Sequence, residues 1–199
     1  MTPLLYSFRR CPYAMRARMA VRYAGCEVTI EEISLKAKPA QMLECSPKGT
    51  VPVLVLEDRV LEQSLDIMHW ALAQHDPDNW QLAYDPERQR QMGALIEEND
   101  LVFKLDLDRY KYAVRYPEHS AQYYRTLGER FLRTLENRLQ SDTYLMGEHL
   151  TLADVAIAPF IRQFCSVDPQ WFEQSPYPTL RAWLQRFLQS ALFEAVMKK

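Results

Sequence analysis

The sequence contains no Cys-x-x-Cys pair. Its four cysteines stand singly at positions 11, 26, 45 and 165, and the four histidines at 69, 75, 119 and 149 fall at no ligand spacing with them. Reduced thiols and no metal are therefore expected. No apolar run approaches the ~20 residues that a membrane helix needs, and Met1-Thr2-Pro3 leads into a strand pattern without the apolar core of a signal peptide. A cytoplasmic chain without a membrane partner is the expectation. Strong charge is also missing: 24 basic against 26 acidic side chains leave a formal charge of −2, which argues against a nucleic-acid partner. Internal repeats and low-complexity tracts are absent as well. What remains is 199 residues of 48% apolar content, enough to build a packed core in one large domain or two small ones.

One stretch organises the rest, Phe8-Arg9-Arg10-Cys11-Pro12-Tyr13-Ala14-Met15-Arg16-Ala17-Arg18. Leu4 to Phe8 is a short apolar run, and Tyr13, Ala17, Ala20, Val21 and Ala24 recur at helical spacing, so the pattern predicts strand, turn, helix. Pro12 suits the first helical position, because proline has no N–H to lose there, and this leaves Cys11 at the N-cap. The helix start carries partial positive charge, and Arg9, Arg10, Arg16 and Arg18 crowd it with no acid before Glu27. A thiol so placed titrates at about 3.5–7.5 instead of about 8.5. Cys11 is thus expected to be largely thiolate at neutral pH, the species that attacks disulfides and electrophiles. Ala14 cannot supply a second sulfur, so exchange chemistry here needs an external thiol.

Downstream, Gly25 reads as a helix stop and Val28-Thr29-Ile30 as a second strand, a parallel βαβ start. A short helix is expected over Pro39 to Glu44. Val51 to Leu56 and Arg59 to Leu61 flank Glu57-Asp58 as an antiparallel hairpin. Ser64 reads as the N-cap of a third helix, whose free N–H groups suit a carboxylate or phosphate. Residues 77–85 are turn-rich and aperiodic, a linker between domains 1–76 and 86–199. Everything beyond is expected to be helical: one helix over Glu87 to Tyr116 ended by Pro117, a second over His119 to Gln140, a third opened by the capping box Thr151 to Asp154, and others around Leu180 to Ala191.

The thiol at a helix start, the Val-Pro hairpin, the N-capped third helix and the helical second half together resemble the cytosolic glutathione transferase family. Arg10-Cys11-Pro12-Tyr13-Ala14 resembles its cysteine-type, omega-like branch, which shares this turn with glutaredoxins. The resemblance implies an α/β plus all-α chain: a thioredoxin-like N-terminal domain (βαβαββα) with a cis bond at Val51-Pro52, and an all-helical C-terminal domain. Residue by residue, it implies that Cys11 forms a mixed disulfide with glutathione as co-substrate. Lys38 would lie near the glycine end, and the Val51 backbone would pair with the peptide. Gln63 and Ser64 would hold the γ-glutamyl group, with glutamine standing where that branch has glutamate. Loss of this carboxylate removes a charge-assisted bond to the ligand ammonium. An acceptor pocket for a small electrophilic or disulfide substrate is expected near Phe8, Arg9, Tyr13, Phe103 and Tyr110, and the family habit implies a homodimer.

Three functions follow as expectations. The first is a glutathione-dependent thiol transferase or reductase working through a monothiol mixed disulfide at Cys11. The second is a transferase that ionises bound glutathione for conjugation. The third is a non-catalytic adaptor that uses the fold to bind a protein, as the stringent starvation proteins resemble transferases yet bind RNA polymerase.

Overall fold

The computed structural model describes residues 2–198. They divide into two compact units, residues 2–78 with 190–198, and residues 79–189.

In the first unit, β1 (Leu4–Ser7) is followed by α1 (Pro12–Tyr23) and β2 (Thr29–Glu32), then a short α2 (Ala40–Cys45), β3 (Val53–Val55), β4 (Val60–Leu61) and α3 (Ser64–Gln74). The sheet order is β2-β1-β3-β4. β1 runs parallel to β2, with Leu5 opposite Ile30, and antiparallel to β3, with Leu5 also opposite Leu54. Leu5 and Leu54 are fully buried, as are Met15 and Met19 of α1 and Ile67 and Met68 of α3. The apolar periodicity of both helices thus meets the central strands. α1 ends as its composition predicts: Gly25 takes φ 67°, and the Cys26 N–H reaches the Val21 carbonyl at 3.1 Å, the αL closure that glycine allows. The expected cis bond is present at Val51-Pro52, and the strand begins only at Val53, after the proline that lacks a ladder donor. The fold class is thus a thioredoxin-like four-stranded unit and an all-helical unit.

The C-terminal helix α10 (Ala191–Met197) packs on α1 and belongs to the first unit. The expectation of a single domain over 86–199 therefore changes at its end. The expected linker is also tied down: Trp80 is buried and its carbonyl accepts the Leu152 N–H at 3.0 Å.

The second unit contains α4 (Pro86–Glu98), α5 (Lys104–Lys111), α6 (Ala121–Leu139), α7 (Leu152–Cys165), α8 (Pro169–Gln174) and α9 (Pro178–Leu188). The long helix expected over 87–116 is interrupted by a π turn at Asn99–Phe103 and closes with a 3₁₀ turn at Ala113–Arg115. The capping box at Thr151 and Asp154 is present. Asp154 is fully buried and accepts from the Leu145 and Thr151 N–H groups, the Thr151 hydroxyl and the Trp183 indole at 2.9–3.0 Å. Burial raises its pKa, and those four donors offset that only in part. Among the described residues, no helix is long and apolar enough to cross a membrane.

Candidate active site

Cys11 is the N-cap of α1, with φ −75° and ψ 123°, and Pro12 occupies the first turn. The Cys11 N–H turns back to the Phe8 carbonyl at 3.0 Å. Its side chain does not cap the helix. The thiol instead points toward the loop before β3, where it donates to the Val51 carbonyl at 3.6 Å, a weak contact that a sulfur gives up readily.

A cleft of about 490 Å³ opens at this point, bounded by Cys11, Tyr13, Lys38, Lys48, Gly49, Val51, Pro52, Glu62, Gln63 and Ser64. It brings together the Cys11 sulfur, the residue before the cis proline, the start of α3 and Lys38, positions expected from the sequence to receive one peptide-like ligand. Its volume falls in the usual range for small-ligand pockets. The Glu62 carboxylate in its wall is bonded by the Ser46 hydroxyl, and the Glu62 carbonyl by Lys48 Nζ at 3.1 Å.

The start of α3 differs by one residue from expectation. Gln63 is the N-cap, with extended backbone, and Ser64 is the first helical residue. The physical reason is a bond that spacing along the chain does not show. Arg16, which is 1% exposed, donates from Nε to the Ser64 hydroxyl at 2.9 Å, so that hydroxyl is held by α1 instead of capping its own helix. The guanidinium also lies over the Tyr13 ring, 5.1 Å from its centroid, a favourable cation–π placement.

The arginines that crowd Cys11 in the sequence divide their work. Arg18 is 4% exposed and donates to the Ser7 hydroxyl at 2.5 Å and the Phe8 and Arg9 carbonyls at 3.4 and 2.9 Å, fixing the turn that delivers the cysteine. Burial lowers its pKa, while Glu32 and then Cys11 raise it.

The expected acceptor residues are dispersed. Tyr13 lines the cleft, and Phe8 packs with Cys11 on the cluster of Tyr6, Ile33, Met42, Val51 and Val53. Arg9 lines a different cavity. Phe103 and Tyr110 are 1% and 4% exposed, each with its ring against Phe164 of the helical unit. Large rings at buried helical positions serve the core. Sequence reading placed Arg16 only among the cations around Cys11, and its bond to Ser64, 48 positions away, left no local signal.

A thioredoxin-like unit that presents a cysteine beside a cis-proline loop, followed by an all-helical unit, defines a class of thiol-handling proteins. The chain belongs to the glutathione S-transferase family. The model of the family's N-terminal domain matches residues 5–80 and that of its C-terminal domain residues 107–186. Maleylacetoacetate isomerase of Mus musculus is 26% identical over 202 residues, covering 96% of this chain and 90% of that protein. Glutathione S-transferase omega-2 of the same organism is 34% identical over 100 residues, covering 47% of this chain and 38% of that one. Among solved structures, a glutathione transferase family member from Pseudomonas fluorescens with two glutathione bound superposes with a TM-score of 0.83 at 17% identity, covering 98% and 92% of the two chains.

Proposed function

We propose that the chain is a glutathione-dependent thiol transferase of the omega-like type, acting through a monothiol mixed disulfide at Cys11. The observation that carries this reading is the thiol at the α1 N-cap, opening on the same cleft as Lys38, Val51, Gln63 and Ser64. The Cys11 thiolate attacks the glutathionyl sulfur of a mixed disulfide R–S–S–G. The substrate thiolate leaves and takes up a proton, and the Cys11–glutathione disulfide remains. A glutathione thiolate then attacks that disulfide, releasing oxidised glutathione and restoring the Cys11 thiolate. In this reading Ser64 and the first N–H groups of α3 receive the γ-glutamyl carboxylate, and Lys38 faces the glycine carboxylate. A cytosolic homodimer, supported by the family resemblance, completes the proposal, and light scattering in solution tests its stoichiometry.

The test is reduction of a glutathionylated peptide by excess glutathione. Cys11→Ala is expected to lower the rate at least a hundredfold, and intact mass after exposure to oxidised glutathione to show one added glutathione at Cys11. Equal rates for wild type and variant would overturn the proposal.

A second reading is favoured by the near-full-length match to maleylacetoacetate isomerase. Here bound glutathione supplies the nucleophile, and Cys11 only steadies its thiolate while the electrophile is a carbon centre. Cys11→Ser separates the two, retaining turnover of a carbon electrophile under the second and losing disulfide exchange under the first.

A further inference from the structure

α10 packs on α1 at the chain end, and Met197, its last residue, brings a thioether to Arg18, with Sδ 3.9 Å from Nη2. Arg18 is the side chain that holds the Cys11 turn: Nη2 also donates to the Arg9 carbonyl at 2.9 Å, and Nη1 donates to the Ser7 hydroxyl and the Phe8 carbonyl. The Glu32 carboxylate faces the same guanidinium and accepts the Arg9 N–H at 2.8 Å. Among these oxygen acceptors the thioether is the weak partner, because a divalent sulfur accepts hydrogen bonds poorly. The guanidinium has donor capacity left, since its Nε is buried and has no acceptor in the protein.

Met197 is also set apart by access. Met15, Met19, Met42 and Met68 are fully buried, and Met92 and Met146 almost so. Among the described residues, Met197 alone of the methionines is partly open to water. The packing that shields the other six from a dissolved oxidant does not cover this sulfur.

We propose that Met197 is a site of reversible oxidation by hydroperoxides, and that its sulfoxide ties α10 to Arg18 and steadies the turn before Cys11. A sulfur lone pair attacks the terminal oxygen of R–O–O–H, the O–O bond breaks and an S–O bond forms. The proton on the transferred oxygen passes to the leaving alkoxide, which departs as R–OH, so sulfur is oxidised and the peroxide reduced. Oxidation turns an apolar side chain into a polar one. Its oxygen is a strong acceptor on a side chain with three rotatable bonds, and the donors beside it belong to a cation, which makes the new bond charge-assisted. The turn is steadied whichever reaction Cys11 performs.

The test uses the full chain carrying Cys11→Ser, so that the N-cap thiol does not consume the oxidant. After exposure to hydrogen peroxide, peptide mass mapping is expected to place an added oxygen on Met197 before any buried methionine. Amide hydrogen exchange at positions 9 and 11 is expected to slow by about tenfold, the equivalent of one hydrogen bond to a charged group. It is expected to return to its starting rate once the two methionine sulfoxide reductases, one for each sulfoxide epimer, have removed the oxygen. Met197→Gln, which carries a carbonyl oxygen at a similar reach, is expected to show the slow exchange without oxidant, and Met197→Leu to show no response to peroxide at these amides. Oxidation of the buried methionines ahead of Met197, exchange that is unchanged or faster after oxidation, or a response that persists in Met197→Leu would each overturn the proposal.

Discussion

At the residue scale, two buried arginines, seven and five positions after the thiol, hold the geometry of the candidate site. Arg18 secures the turn before Cys11, and Arg16 secures the hydroxyl of Ser64. Arg16 therefore couples the helix that presents the sulfur to the helix that would receive the γ-glutamyl end. Arg16→Met leaves the Ser64 hydroxyl without its donor and removes one buried hydrogen bond to a charged group, worth about 1.5–3 kcal/mol. The expected result is a KM for glutathione raised about tenfold, with kcat at saturating glutathione changed far less, because the substitution leaves Cys11 and its turn in place. A KM equal to wild type would separate Ser64 from glutathione binding. Cys11 itself was legible in the sequence, since Pro12 and the following apolar spacing mark the helix start without knowledge of any other segment. The Arg16–Ser64 bond was not, because it joins residues 48 positions apart and no local pattern encodes a contact at that separation.

At the element scale, local signals worked where an element ends on its own chemistry and failed where a neighbour decides. The stop at Gly25 and the capping box at Thr151 are fixed by backbone conformation and by side chains three residues away, and both are present. The π turn at Asn99–Phe103 interrupts a segment whose periodicity predicts one continuous helix. Phe103, the last residue of that turn, lies against Phe131 and Phe164, with ring centroids 4.9 and 5.4 Å away. The same aromatic cluster explains Gly128 in the middle of α6. A Cβ built there would overlap the edge of the Phe164 ring, and Phe164 is fully buried against Phe103, Tyr110 and Trp171. Alanine gains about 1 kcal/mol of helix propensity over glycine, whereas forcing an extra carbon into a close-packed core costs about 1–3 kcal/mol. Gly128→Ala is therefore expected to lower the thermal midpoint by a few degrees despite the better helix former. A raised midpoint would show that the ring shifts freely.

At the scale of the whole molecule, the chain returns at its end to the unit where it began. α10 packs on α1, and Met197 Sδ lies 3.9 Å from Arg18 Nη2, the same guanidinium that holds the Phe8 and Arg9 carbonyls. This closure was not legible from composition, because the apolar residues of the tail predict a helix but carry no label for which unit it covers. Phe193 is 6% exposed, so the tail contributes a buried aromatic as well as a lid on Arg18, and losing one such ring costs about 3–5 kcal/mol. Truncation after Gln189 is thus expected to lower the thermal midpoint of the first unit and to speed amide hydrogen exchange at Phe8 to Cys11, since water gains access to the guanidinium that pins this turn. Disulfide exchange should fall with the ordering of the turn, while amides of α6 and α7 keep their protection. A truncated chain with unchanged exchange at the turn would show that the Ser7, Phe8 and Arg9 acceptors suffice to hold Arg18, and that the tail acts only through burial of Phe193.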